Sequence, residues 1–121
     1  MRVAREEIFG PVLSVFRYSD LDDAIVRAND TVYGLSAGVW GSDYETVLDV
    51  GHRLRAGSVW LNNWHMVDPN MPFGGYKQSG VGREIGRDAL DEYTEVKHVH
   101  LDLTQTRERH IFDILLSEPP A

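Results

Sequence analysis

The sequence predicts an α/β fold, a three-stranded parallel sheet with flanking helices, followed by a separate C-terminal strand. Three short runs that contain Val, Leu, Phe or Trp, at residues 12–16, 36–40 and 58–62, alternate with two longer stretches whose apolar residues recur at helical spacing. This order with short links favours parallel strands joined by right-handed crossovers. Because a parallel sheet is buried on both faces, the apolar residues of these runs are expected to form the core.

Each of the two longer stretches begins with a helix-capping pattern. Ser19 stands three residues before Asp22, and Ser42 stands three residues before Glu45, which is the spacing of a capping box. Gly57 follows the second stretch, at a position where glycine commonly ends a helix. These signals predict two helices between the three strands. Their apolar stripes are Leu21, Ala24, Ile25 and Ala28 in the first helix, and Tyr44, Val47, Leu48, Gly51 and Leu54 in the second.

The second half of the chain has a different character. Residues 63–82 form a long loop with several Pro and Gly residues, and its aromatic content favours a functional loop over a disordered one. A helix is expected over residues 83–93. A strand is expected over residues 95–103, where apolar and polar residues alternate with a period of two. An amphipathic helix is expected over residues 105–116.

Composition and charge exclude several classes of function. The formal net charge of -7 disfavours a nucleic-acid partner, because phosphate binding needs a concentrated basic surface. No apolar run has the length of a membrane span, and the first residues lack the apolar stretch of a signal peptide. We therefore expect no membrane partner and a cytoplasmic location. The chain has no cysteine, which excludes disulfides and thiolate metal sites.

Two further motifs lack the context that ligand binding requires. Gly80-Val81-Gly82 follows a polar loop instead of a buried strand, so neither a dinucleotide-binding turn nor a P-loop is predicted. His98 and His100 lie two residues apart on the predicted strand, but no third ligand has suitable spacing. No metal site is predicted.

The acidic pair Glu6-Glu7 allows two interpretations. It precedes Phe9 and a Gly-Pro turn, which is typical of a solvated loop. Alternatively, a carboxylate here accepts hydrogen bonds from a ribose diol while the neighbouring phenyl ring packs on a flat heterocycle. The residues alone leave both interpretations open.

Three segments carry a family resemblance. They read EEIFGPV at residues 6–12, MPFGGYKQSGVGRE at residues 71–84 and YTEVK at residues 93–97. In order and spacing they resemble the C-terminal portion of the NAD(P)-dependent aldehyde dehydrogenases, and the similarity runs from about Val3 to Leu103.

The resemblance implies roles for individual residues. Glu7 would hydrogen-bond the nicotinamide ribose of NAD or NADP, and Phe9 would pack near the nicotinamide. Phe73 would face the reacting carbon of the aldehyde. Residues 63–71 follow no single subfamily pattern, so the aldehyde is not identified. The implied substrate tunnel includes Trp64, His65, Val67 and Phe73.

The resemblance also implies an assembly and a division of the chain. Residues 1–93 would be the C-terminal part of the catalytic domain, residues 94–104 an oligomerisation strand, and residues 105–121 a tail. Glu95 would form an ion pair with Arg83 of a partner chain. The expected partner is therefore another copy of the chain or a full-length relative.

The family's reaction oxidises an aldehyde to a carboxylic acid through a cysteine thiohemiacetal, hydride transfer to NAD(P)+ and hydrolysis of a thioester. The nucleophilic cysteine, the general base and the Rossmann domain are not in this sequence, so no catalytic residue is assigned. We expect a fragment that is inactive alone and binds NAD(P) weakly or not at all. The main alternative is a non-catalytic interaction module that pairs with a full-length aldehyde dehydrogenase through the oligomerisation strand. A small-molecule binding domain built on the aromatic loop is a weaker alternative.

Overall fold

The computed structural model describes residues 1–103, where helices alternate with short strands. Two two-stranded sheets are present in this part of the chain, one parallel and one antiparallel. Short 3-10 helices lie at Arg2–Ala4 and Asp88–Tyr93. None of the described helices is long and apolar enough to cross a membrane. The principal elements are α1 (Leu21–Asn29), β1 (Tyr33–Gly34), β2 (Ser36–Val39), α2 (Tyr44–Arg53), β3 (Ser58–Leu61) and β4 (Tyr76–Lys77).

The central unit of the fold is β2-α2-β3, a parallel strand pair joined by a helix, as the sequence predicts. Ser36 lies opposite Ser58, and the register continues to Val39 opposite Leu61. Ile25 of α1 and Val47 of α2 are the buried apolar side chains, at 5% and 4% exposure, among the described residues. The core therefore lies where α1 packs on α2 and α2 packs on the parallel pair. The second sheet pairs β1 with β4 in antiparallel register.

Both helices begin one residue after an aspartate instead of at the predicted serines. The carboxylate of Asp20 accepts a hydrogen bond from the backbone N–H of Asp23 at 2.8 Å, so Asp20 caps α1. Asp43 precedes α2, and the hydroxyl of Thr46 donates to its carboxylate. This bond lowers the pKa of Asp43 because it favours the charged form. A carboxylate accepts a stronger, charge-assisted hydrogen bond than a serine hydroxyl, which explains why Asp20 instead of Ser19 caps α1. Asp43 makes no such capping bond to the backbone of α2.

The first predicted strand is not part of the described sheets, so the parallel sheet has two strands here instead of three. Residues 12–16 pair with no other strand in residues 1–103. Leu13 and Val15 are 86% and 80% exposed, and Trp40 is also exposed instead of lying in the core. Burial of both faces of a parallel sheet requires a covering layer, and the described residues cover little of these runs.

Two predictions for the second half also need correction. The helix expected over residues 83–93 is only the 3-10 helix Asp88–Tyr93, because Gly82 and Gly86 adopt positive φ angles of 82° and 66°. A chain with this geometry turns back on itself and cannot continue an α-helix. The predicted strand 95–103 has no ladder partner within the described part of the chain, and its apolar side chains are exposed. The helix predicted over residues 105–116 lies outside the described residues.

Candidate functional site

The N-terminal segment presents an unpaired carboxylate beside an exposed aromatic ring. The guanidinium of Arg2 donates to the carboxylate of Glu6 at 2.8 Å, which raises the pKa of Arg2. Glu7 makes no side-chain hydrogen bond or ion pair with any of residues 1–103. The Phe9 ring is 99% exposed. Arg5 ties this segment to the end of α1 through an ion pair with Asp30 at 2.5 Å. A free acceptor next to an open ring suits a nucleotide sugar and its flat base.

A cavity of about 360 Å³ lies between β3 and the long loop that follows it. Two of the four predicted tunnel residues, Val67 and Phe73, line this cavity. Further apolar walls come from Trp60, Met66, Met71 and Ile85. The size and the apolar lining are those of a small-molecule site.

The other two predicted tunnel residues, Trp64 and His65, lie in an aromatic cluster next to the cavity. The ring centres of Trp60 and Trp64 are 5.3 Å apart, and those of Trp60 and His65 are 5.7 Å apart. The indole N–H of Trp60 donates to the carbonyl of Met66 at 2.8 Å. Trp60 therefore belongs to both features, whereas neither Trp64 nor His65 lines the cavity.

A folded-back loop provides part of the cavity wall. Phe73 and Glu84 exchange two backbone hydrogen bonds of 2.8 and 2.7 Å, and the N–H of Gly86 donates to the carbonyl of Pro69 at 3.0 Å. These bonds hold Ile85 at φ 49°, a left-handed conformation that is strained for a β-branched residue. The position of Ile85 in the cavity wall is thus fixed by the backbone on both sides.

The predicted interface residues are separate within the described chain. Arg83 donates to the carbonyls of Gly75 and Gly82 at 3.1 and 2.7 Å, and its guanidinium lies 5.3 Å from the centre of the Tyr76 ring. Glu95 is exposed and forms no ion pair with Arg83 within residues 1–103. The pair was predicted between two chains, so it stays a prediction.

Sequence reasoning missed Trp60 and Ile85 in the cavity wall and the role of Asn62 after β3. Asn62 directly follows β3 with φ 53°, and its amide exchanges hydrogen bonds of 2.8 and 2.9 Å with the backbone of Gly41. An asparagine directly after a strand is a sequence signal for a residue with positive φ, because Asn tolerates the left-handed region. Trp60 was predicted only as part of the third strand. Because strand residues alternate between the two faces of a sheet, the pattern does not indicate which face the Trp60 side chain occupies. No sequence signal indicates Ile85, because β-branched residues rarely adopt positive φ.

Comparisons with known proteins match the chain to aldehyde dehydrogenases. The model of the aldehyde dehydrogenase family matches residues 1–99. The chain is 53% identical over 100 residues to betaine aldehyde dehydrogenase from Bacillus subtilis, covering 83% of the chain and 20% of that protein. It is 51% identical over 100 residues to the mitochondrial aldehyde dehydrogenase of Leishmania tarentolae, with the same coverage. An NAD+ complex of aldehyde dehydrogenase from Bacillus cereus superposes with a TM-score of 0.76 at 49% identity, covering 82% and 20% of the two chains.

The chain spans about a fifth of the length of the curated relatives that it matches. Within that fifth, the family match includes the N-terminal acidic pair, the cavity loop and the segment around Glu95. The chain therefore belongs to the aldehyde dehydrogenase family.

Proposed function

We propose that this chain provides one wall of the substrate tunnel and the nicotinamide-side acceptor of an NAD(P)-dependent aldehyde dehydrogenase, which oxidises an aldehyde to a carboxylic acid. The observation that carries the proposal is the apolar cavity of about 360 Å³ whose wall includes Val67 and Phe73. The family membership of residues 1–99 supports the reaction class.

Each candidate site residue has a distinct role in this proposal. When bound, NAD(P)+ accepts a hydride from the aldehyde carbon, and water provides the second oxygen of the acid. Glu7 binds the ribose next to the nicotinamide through its free carboxylate, and Phe9 packs on the ring. Phe73 orients the aldehyde and excludes water from its reacting end. Trp64 and His65 support the tunnel through Trp60.

We further propose that the chain alone is inactive. The thiolate nucleophile of the family requires a cysteine, and this sequence has none. Two cofactor contacts on an exposed segment cannot offset the entropy lost on association, which is at least about 4 kcal/mol. Binding of NAD(P) by this chain alone is therefore weak or absent, and calorimetry with NAD+ tests this directly.

In a complete enzyme, the division of the chain follows the sequence expectation. Residues 1–93 belong to the catalytic domain, and residues 94–104 are the proposed oligomerisation strand. Residue 104 and the expected tail, residues 105–121, lie outside the described residues. The exposed run at residues 12–16 becomes the third strand of the parallel sheet when a covering layer is present. The expected compartment is the cytoplasm.

A chimeric enzyme tests the proposed function. Residues 1–99 of this chain replace the matching portion of the betaine aldehyde dehydrogenase from Bacillus subtilis, and formation of NADH is followed with several aldehydes. We expect oxidation of at least one aldehyde by the chimera and none by the chain alone. A folded chimera that oxidises no aldehyde would contradict the proposal.

A second candidate function is a non-catalytic module that pairs with a full-length aldehyde dehydrogenase. Val96, Val99, Leu101 and Leu103 are between 75% and 104% exposed, and their segment has no ladder partner in residues 1–103. A segment of this kind can add to a sheet of a partner. Co-purification of the chain with the purified Bacillus subtilis relative, abolished by Val99→Glu, would favour this module.

A further inference from the structure

The cavity between β3 and the loop is almost free of charge. Trp60, Met66, Met71 and Ile85 provide aromatic, thioether and aliphatic surface next to Val67 and Phe73. No described residue that lines the cavity carries a positive charge. The lining therefore offers dispersion contacts and burial of apolar surface, without a counter-ion for an anionic ligand.

The one acidic residue in the described lining, Asp68, also holds a turn of the loop. The carboxylate oxygen Oδ1 of Asp68 accepts hydrogen bonds from the backbone N–H and the side-chain amide of Asn70, at 2.8 and 3.1 Å. This arrangement stabilises a local turn. An anionic group in the cavity would be repelled by Asp68 and would lose its hydration without gaining a partner.

The cavity wall contains both a fixed residue and adaptable ones. Ile85 is held by the paired backbone bonds of Phe73 and Glu84 and by the bond between Gly86 and Pro69. Met66 and Met71, which are unbranched and adapt to irregular shapes, line the cavity as well. Such a wall accepts apolar groups of different shapes.

Resting on the proposed function, we propose that the cavity selects an uncharged aldehyde with an aryl or branched-alkyl group, and disfavours aldehydes that carry a carboxylate. An anionic tail would need a cationic partner, which the described lining does not offer, whereas an apolar tail needs none.

The chimeric enzyme described above, in which the cavity has its complete surroundings, provides the test. The values of kcat/KM are compared for phenylacetaldehyde and succinic semialdehyde. We expect phenylacetaldehyde to be preferred by on the order of tenfold or more. Equal or better use of succinic semialdehyde would overturn the inference while leaving the proposed function intact. Absence of activity with both would overturn the proposed function and this inference together.

A charge placed in the cavity tests whether its lining is the cause. Met71→Arg should increase the ratio of kcat/KM for succinic semialdehyde to that for phenylacetaldehyde by on the order of tenfold. Val26→Arg, at an exposed position of α1 outside the cavity, is the matched control and should leave the ratio unchanged. If Met71→Arg fails to fold, Met71→Gln is measured instead. It should lower kcat/KM for phenylacetaldehyde and leave kcat/KM for succinic semialdehyde unchanged. An unchanged ratio in a folded Met71→Arg enzyme would refute the role of the cavity.

Discussion

Gly57, the residue before β3, lies close to the backbone of Gly74 in the long loop, and its replacement tests this contact. A Cβ atom added at Gly57 would lie 1.7 Å from the carbonyl oxygen of Gly74, far below the 3.0 Å that real Cβ atoms respect. The clash would be between a Cβ atom fixed to the backbone of residue 57 and the backbone carbonyl of Gly74. No change of side-chain rotamer can therefore relieve it. The N–H of Gly57 also donates to the carbonyl of Gly34 at 3.0 Å, which restricts movement of β3.

We expect Gly57→Ala to destabilise the chain by about 3 kcal/mol or more, at the upper end of overpacking changes. For a domain of this size, that corresponds to a decrease in melting temperature of roughly 10 °C or more. Thermal and urea unfolding followed by tryptophan fluorescence provide the measurement, since Trp60 lies three residues beyond the substitution in β3.

Gly10→Ala is the matched control. A Cβ atom at Gly10 would meet nothing within 4 Å, so its effect should stay within about 0.5 kcal/mol. If Gly57→Ala unfolds at the same temperature as Gly10→Ala and the parent chain, the close approach of Gly57 and Gly74 is wrong, and the cavity geometry with it.

Three further predictions concern the strand end, the helix cap and the assembly. Asn62→Ala should be less stable than Asn62→Gly by about 1 kcal/mol in urea unfolding. Both variants lose the hydrogen bonds to Gly41, but only alanine is strained at φ 53°. Equal stability of the two variants would exclude strain at this position. Thr46→Val should lose the stabilisation that comes from the lowered pKa of Asp43. Stability from a depressed carboxyl pKa is complete above the unfolded-state value and is lost as pH falls through the folded-state value. The difference between variant and parent in urea midpoint should therefore vanish in strong acid; a difference that is constant with pH would contradict the assignment. Glu95→Lys should weaken oligomers of the complete enzyme by about 3–5 kcal/mol, as seen by light scattering, and an unchanged oligomer would exclude an ion pair at this residue.

The central β2-α2-β3 unit could be predicted from the sequence because its signals are local. Val47 and Gly51 have the helical spacing that places both on the buried face of α2. The capping residues were missed by one position, since a serine and an aspartate stand side by side and the pattern does not say which one caps. Residues 12–16 have strand-like composition, yet a strand also needs a neighbour, and composition carries no information on whether one is present.

The site was predicted in part for a similar reason. Phe73 and Val67 were identified through the family resemblance, and the cavity brings them together. Ile85 could not be identified, because its place in the wall depends on hydrogen bonds between residues that are distant in sequence. Trp64 and His65 were assigned to the tunnel through the same resemblance. The positive φ of His65, at 56°, is a conformational detail that the pattern does not indicate.

The roles of two adjacent carboxylates provide the most direct test of the account. In the chimeric enzyme, kcat and the KM for NAD+ are measured for Glu7→Gln and Glu6→Gln. The carboxylate of Glu6 is held by Arg2, whereas that of Glu7 is free to bind the nicotinamide ribose. Loss of hydrogen bonds to a charged group, about 1.5–3 kcal/mol, predicts a decrease in kcat of roughly tenfold to a hundredfold for Glu7→Gln, with little change in KM. Glu6→Gln should resemble the parent enzyme. Equal effects of the two substitutions, or a decrease for Glu6→Gln alone, would contradict the assignment of the cofactor site.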